Sequence, residues 1–198
     1  MRYSKFLFLM GIKLIPAFNA SGVIPPYVAS PTNRGGSPYG TDLQEIANVL
    51  VNTDKRKEIF VGLLEYRKAL RSIGVTTGFQ LIDGSFTENC EKVRGRSPKD
   101  IDLVTFAYLP VTGPDIHTFI QKNIELFDQD FLKEKYKCDA YFVDLAKDSR
   151  IVVEDTMYWY GLFSHQRESN LWKGMLKISL VDSDDDIRKN LEGEPANG

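Results

Sequence analysis

Asp100 and Asp102 stand one residue apart at the head of an apolar run, DIDLVTFAYL, which extends from Asp100 to Leu109. On a strand, residues two apart share a face. The two carboxylates therefore project together, while Ile101 and Leu103 turn the other way into a core. Adjacent carboxylates repel and are poor structural elements by themselves. A divalent cation resolves the conflict. Magnesium prefers oxygen ligands and is held by one or two carboxylates together with substrate phosphates. Two such ions, about 3.5–4 Å apart, can activate an attacking oxygen and stabilise a leaving one. A third carboxylate is then expected from a neighbouring strand. Asp139, which opens DAYFVDL, is the first candidate. Asp144 falls on the opposite face of that strand by parity and ranks second. The bland alternative is a strand end whose aspartates cap turns or face solvent.

These residues need a scaffold, and the sequence supplies alternating signals for one. Asp42 to Val51 reads as a short helix with Thr41 as its N-cap. From Asp54 to Ile73, apolar Ile59, Leu63, Tyr66, Leu70 and Ile73 recur at spacings of four and three, so they line one helix face. Gly74 ends that helix. Its other side carries Lys55, Arg56, Lys57, Arg67, Lys68 and Arg71 and reads as a solvated face. Val75 to Asp83 is a strand leading into a Gly84-Ser85 turn. Residues 86–93 read as a short helix, and RGRSPK (94–99) as a basic loop. Asp100 to Leu109 and Cys138 to Leu145 are strands, with Asp115 to Glu134 helical in two pieces between them. Glu154 to Arg167 reads as a helix rich in aromatics, and Trp172 to Val181 alternates like a strand. Helices interleaved with strands predict an α/β (α+β) fold, a mixed central sheet flanked by helices. The 100–109 and 139–145 strands should be adjacent, so that the three aspartates converge on one cleft. The organisation is an extended segment over 1–40, one domain over 41–181, and a short helix and tail over 182–198.

Upstream of the aspartates, Gly84 lets the backbone approach a ligand closely. A helix starting after it would offer N–H groups and positive potential to a phosphate, and Ser85 adds a hydroxyl. Arg94 and Arg96 suit bidentate phosphate contacts. The order is strand, Gly-Ser, helix, basic loop, DxD strand and Asp-headed strand. It resembles the nucleotidyltransferase superfamily typified by DNA polymerase beta, whose pattern is hG[GS], then Dh[DE]h, then a third acidic strand residue. The matching residues are Gly84 and Ser85, Asp100 and Asp102, and Asp139. The stretch GFQLIDGSFTENCEKVRGRSPKDIDLVTF, with CDAYFVDL, YWYGLFSHQR and WKG, also resembles a family of small uncharacterised bacterial nucleotidyltransferase-like proteins. The resemblance covers roughly Ile15 to Val181. Fourteen residues separate Ser85 from Asp100, more than in minimal members of the superfamily, and this insert holds Arg94, Arg96 and Lys99.

The resemblance implies an enzyme that moves a nucleoside monophosphate from an NTP to an acceptor and releases pyrophosphate. Asp100, Asp102 and Asp139 would hold two Mg²⁺ (or Mn²⁺) ions. Asp139 would act as base or orient the acceptor hydroxyl, and Gly84, Ser85, Arg94 and Arg96 would bind the nucleotide. The acceptor stays open among a tRNA, a protein hydroxyl, a small molecule and another nucleotide. The same resemblance suggests a toxin–antitoxin or phage-defence setting, with a cognate antitoxin or regulatory protein as partner. The alternative is a non-catalytic nucleotide-binding or regulatory module on the same fold.

Composition narrows the remaining classes. The 198 residues suffice for one domain with a real core. A net charge of −2 gives no support for bulk electrostatic binding to nucleic acid or to a membrane. Two cysteines, Cys90 and Cys138, fit a reduced cytoplasmic chain better than a disulfide scaffold. The basic, apolar start MRYSKFLFLMGIKLIPAFNA resembles a signal peptide, but Lys13 interrupts its apolar run, and a start at Met10 would remove that character. NRGGSPYG (33–40) lacks the order of a P-loop and reads as a plain loop. His117 and His165, with two distant cysteines, do not make a zinc site. Tyr158, Trp159 and Tyr160 could stack a base, though Leu162 and Phe163 after them favour core packing. Lys173 could meet a phosphate as a point charge. The run Asp182, Asp184, Asp185 and Asp186 reads as the acidic start of a helix.

Overall fold

A computed structural model describes residues 15–28, 36–181, 184, 187 and 191. The readings of the first fourteen residues, and most of the expected C-terminal helix and tail, lie outside the described residues. Five strands form one mixed sheet: β1 (Tyr39–Gly40), β2 (Gly78–Asp83), β3 (Ile101–Ala107), β4 (Cys138–Asp144) and β5 (Leu176–Ser179). Their spatial order is β1-β5-β2-β3-β4. The β3–β4 and β1–β5 pairs are parallel, and β2 runs antiparallel to both its neighbours. Among the described residues, six α-helices accompany the sheet: α1 (Leu43–Leu50), α2 (Asp54–Ser72), α3 (Cys90–Arg94), α4 (Asp115–Lys122), α5 (Gln129–Tyr136) and α6 (Ser149–Phe163). This is the expected mixed sheet flanked by helices. Among the described residues no helix is long and apolar enough to cross a membrane.

The strand period divides the sheet into two faces. Ile82, Ile101, Leu103, Leu176 and Ile178 join the larger core with Ile59, Phe60, Leu63, Tyr66 and Leu70 of α2. Leu81, Val104, Phe106 and Val143 face the other way and pack with Trp159 and Phe163 of α6. Fully burying such a side chain contributes roughly 1.5–3 kcal/mol. The first face therefore anchors β3 with Ile101 and Leu103, leaving Asp102 to the second. Trp159 satisfies the core reading of the aromatic segment, but Tyr158 and Tyr160 do not: both are exposed.

Helix ends show where local chemistry decides. Asp42, not Thr41, caps α1: its Oδ1 accepts from the Glu45 amide at 2.8 Å. Thr53 caps α2, and Gly74, at φ +87°, takes the left-handed turn that stops it. The helix α6 starts five residues before the expected Glu154, because the Asp148 carboxylate accepts from the Arg150 amide. It stops at Phe163, short of Arg167. His165 and Trp172 then pair across a turn, which directs residues 165–168 to the mouth of the sheet.

The basic side of α2 is not wholly a solvated face, which corrects the sequence reading. Arg56 and Arg67 are both buried. Arg56 donates to the Phe86, Glu88 and Leu50 carbonyls and to the Glu91 carboxylate. It therefore fastens the segment after Gly84 onto α2. Arg67 donates to Gln80, the Ser179 carbonyl and Asp184. Asp184 is thus a buried partner of Arg67 and Arg71; Asp182, Asp185 and Asp186 lie outside the described residues. A buried guanidinium is tolerable only when paired in this way.

Candidate functional site

The strand register brings the aspartates together. Asp102 lies opposite Asp139 in the parallel β3–β4 pair, so both carboxylates leave the sheet on the α6 face. Asp100 sits two residues before Asp102, just outside β3. The ammonium of Lys133, on α5, joins the outer two: its Nζ lies 3.1 Å from Asp100 Oδ2 and 3.0 Å from Asp139 Oδ2. Asp102 lies further in. Its Oδ1 is 3.5 Å from Arg167, which is largely exposed. Asp144, the second-ranked carboxylate, is not in this group. It ends β4 and accepts from the Ala146 amide at 2.9 Å, capping the turn.

Gly84 follows directly after β2 with φ +78° and ψ −164°, a conformation open to glycine almost alone. The space a side chain would take there is filled by the Asp102 carboxylate. The glycine thus accommodates an aspartate of the site as well as a close backbone approach. Ser85 begins a single 3₁₀ turn, Ser85–Thr87, and the five-residue α3 starts only at Cys90. The continuous helix expected over 86–93 is therefore broken. The dipole expected at Ser85 shrinks to that of one turn, because aligned peptides are needed to sum it.

Beneath the turn lies a buried cluster that sequence reasoning largely missed. Asp83, the last residue of β2, is directly opposite Asp102, so Asp83, Asp102 and Asp139 form a row across three strands. Lys173 is 2% exposed, and its ammonium lies 2.9 Å from both Asp83 Oδ1 and Glu88 Oε1. It also donates to the Gly84 carbonyl at 3.3 Å. Arg94 holds the other oxygen of Glu88 at 2.9 Å, and the Gln166 amide donates to the same oxygen. The only sequence signal for Asp83 was its place at the strand end; its pairing register had to be known before it could be read. Lys173 reads in the sequence only as a point charge, because its acidic partners are 85 and 90 positions away.

The electrostatics follow from this crowding. Burial pushes the Asp102 carboxyl up from its ordinary value, and Asp100 and Asp139 push it further. Burial likewise raises Asp83, to about 7, with Lys173 working against the rise. Burial alone would lower Lys173, but Asp83 and Glu88 outweigh it and raise it, so the ammonium stays charged. The hydrogen bond to Asp139, reinforced by Asp100, raises Lys133. Tyr141, two residues beyond Asp139 on the same face, is raised by burial and then by Asp139.

The aspartates, Glu88, Lys133 and Lys173 open onto one cleft of about 290 Å³. Gly84, Ser85, Asp100 and Asp102 line it, and so does Asp139. Arg94 and Arg96 are on its wall as well, Arg94 half-buried against Glu88 and Arg96 exposed. The 165–168 turn closes the opposite side with His165, Gln166, Arg167 and Glu168. His117 is exposed in α4 and does not line this cleft. Every residue assigned to the site by sequence reasoning therefore meets the same cavity. Carboxylates of Asp83, Glu88, Asp100, Asp102, Asp139 and Glu168 roughly balance the cations Arg94, Arg96, Lys133, Arg167 and Lys173.

Among the described residues, no three His, Cys, Asp or Glu side chains stand as a ready-made metal group. The Lys133 ammonium lies instead against one oxygen each of Asp100 and Asp139. Carboxylate oxygens are nonetheless the ligand type that a hard divalent ion would take. Lys133 itself marks a position where a cation is stabilised. Comparison with curated proteins and with solved structures finds no match. A family model matches residues 16–179, well over half of the chain, which therefore belongs to the Family of unknown function (DUF6932).

Proposed function

We propose that the cleft binds a nucleoside triphosphate with divalent metal and transfers its nucleoside monophosphate to an acceptor hydroxyl. The supporting observation is the meeting of Asp100, Asp102 and Asp139 with the Gly84–Ser85 turn in one cavity. In this reading the acceptor oxygen forms a bond to the α-phosphorus as the bond to the pyrophosphate oxygen breaks. The acceptor proton goes to Asp139, and pyrophosphate leaves. Asp100, Asp102 and Asp139 would hold Mg²⁺ or Mn²⁺, which supplies charge neutralisation between carboxylates and phosphates. The cleft's own charges nearly cancel, so a triphosphate needs that added positive charge. Ser85 and the Gly84 backbone bind the outer phosphates, while Arg96 approaches from the loop. Catalysis rests on positioning and charge neutralisation.

One observation favours a second reading, a nucleotide-binding or regulatory module without turnover: Lys133 lies on Asp100 and Asp139, where a metal would be needed. Incubation with each α-labelled NTP, Mg²⁺ and cell extract separates the two. Transfer gives a labelled acceptor that disappears in Asp100→Asn/Asp102→Asn. Nucleotide retained on the protein with no labelled acceptor supports the binding module instead.

A further inference from the structure

We propose that Lys133 is a cation built into the site, so that the cleft takes one divalent ion rather than two. This rests on the metal–nucleotide reading above and specifies it. The ammonium touches Oδ2 of both Asp100 and Asp139, at 3.1 and 3.0 Å. A Mg²⁺ ion on those same oxygens would sit about 2.0–2.1 Å from each. The two cations therefore compete for one place.

The base of the lysine is held in position. Leu132, next to it on α5, is buried, and so is Tyr136 at the end of that helix. Only Lys137, in a left-handed turn at φ 55°, separates α5 from β4. Its carbonyl accepts from the Ile101 amide at 3.0 Å, tying the link to β3. Lys133 is thus carried by the same short unit that carries Asp139, alongside the strand that carries Asp102. A tethered ammonium competes at high effective concentration. Asp102 is the carboxylate that Lys133 leaves for a metal. It lies against Gly84, on the side of the phosphate turn. Asp102 and Asp100 would hold the single ion, which would supply positive charge toward the triphosphate, and Lys133 supplies the positive charge beside Asp139.

The test counts Mn²⁺ retained by the full chain in equilibrium dialysis with inorganic triphosphate, a probe independent of the base. Wild type should retain one ion per chain, Lys133→Met two, and Lys133→Arg one. Far-ultraviolet circular dichroism of each variant confirms that the count refers to folded protein. Two ions in wild type, or one in Lys133→Met, would overturn the proposal while leaving the metal–nucleotide reading intact. No retained Mn²⁺ in wild type or in Lys133→Met would overturn both.

Discussion

Replacing Gly84 by alanine tests whether the site is built as tightly as the structure indicates. At φ +78° and ψ −164° an alanine meets backbone strain of order 1–3 kcal/mol. Its methyl group would also occupy the space of the Asp102 carboxylate. Asp102 cannot yield freely, because its side chain is only 17% exposed and Asp100 and Asp139 lie beside it. We therefore expect a loss of about 2–4 kcal/mol, the strain plus a displaced carboxylate. For a chain of this size each kcal/mol shifts Tm by about 2–4 °C, so Gly84→Ala should melt about 4–16 °C below wild type. A double-mutant cycle separates the two parts. In an Asp102→Ala background the methyl meets no carboxylate, and the strain remains with a 3.0 Å contact to the residue-102 Cβ. The cost of Gly84→Ala should then fall by about 1 kcal/mol. Melting followed by circular dichroism on all four proteins measures this. An unchanged Tm in Gly84→Ala refutes the reasoning outright. An equal cost in both backgrounds would refute the glycine–aspartate contact while leaving the strain.

Arg56→Met should cost about 3–5 kcal/mol, because it leaves Glu91 and several carbonyls without their buried partner. A melting temperature close to that of wild type would count against this clamp. Asp83 governs a pH dependence. Folded, it holds its proton up to about 7, whereas the unfolded chain releases it near ~3.9. Between those values the native state binds more protons, so stability falls as pH rises; the contribution is complete below the unfolded value and lost through about 7. Urea titrations across that range should show a fall that Asp83→Asn removes, and parallel profiles for the two proteins would contradict the assignment. Arg96→Ala should weaken binding of a non-hydrolysable NTP roughly 10-fold, about 1.4 kcal/mol, with little change in Tm. Unchanged affinity in calorimetric titration would make the loop a connector only.

How far the sequence could be read depended on the range of the interactions. The parity of Asp100 and Asp102, the buried Ile101 and Leu103, and the α2 face of Ile59, Leu63 and Leu70 are short-range patterns. They survive in the structure because local period and burial agree. Asp139 was legible for the same reason, as the head of a second apolar strand. Arg56 and Arg67 were misread because a cation on a helix reads as solvated until its partner is known. Those partners, Glu91 and Asp184, are 35 and 117 positions away. Lys133 shows the same limit: six residues before Asp139, it reads as an ordinary helix lysine until α5 is folded back beside β4. Asp42 displaced Thr41 as cap because both side chains suit the role and only the turn geometry chooses.

The central claim is that Asp100 and Asp102 make the cleft a metal–nucleotide site. Calorimetric titration of each non-hydrolysable NTP with Mg²⁺ into wild type and Asp100→Asn/Asp102→Asn tests it most directly. At least one nucleotide should bind wild type, only with Mg²⁺ present, and the double variant should show no binding heat while remaining folded. Equal binding in both proteins, or binding indifferent to Mg²⁺, would contradict the account.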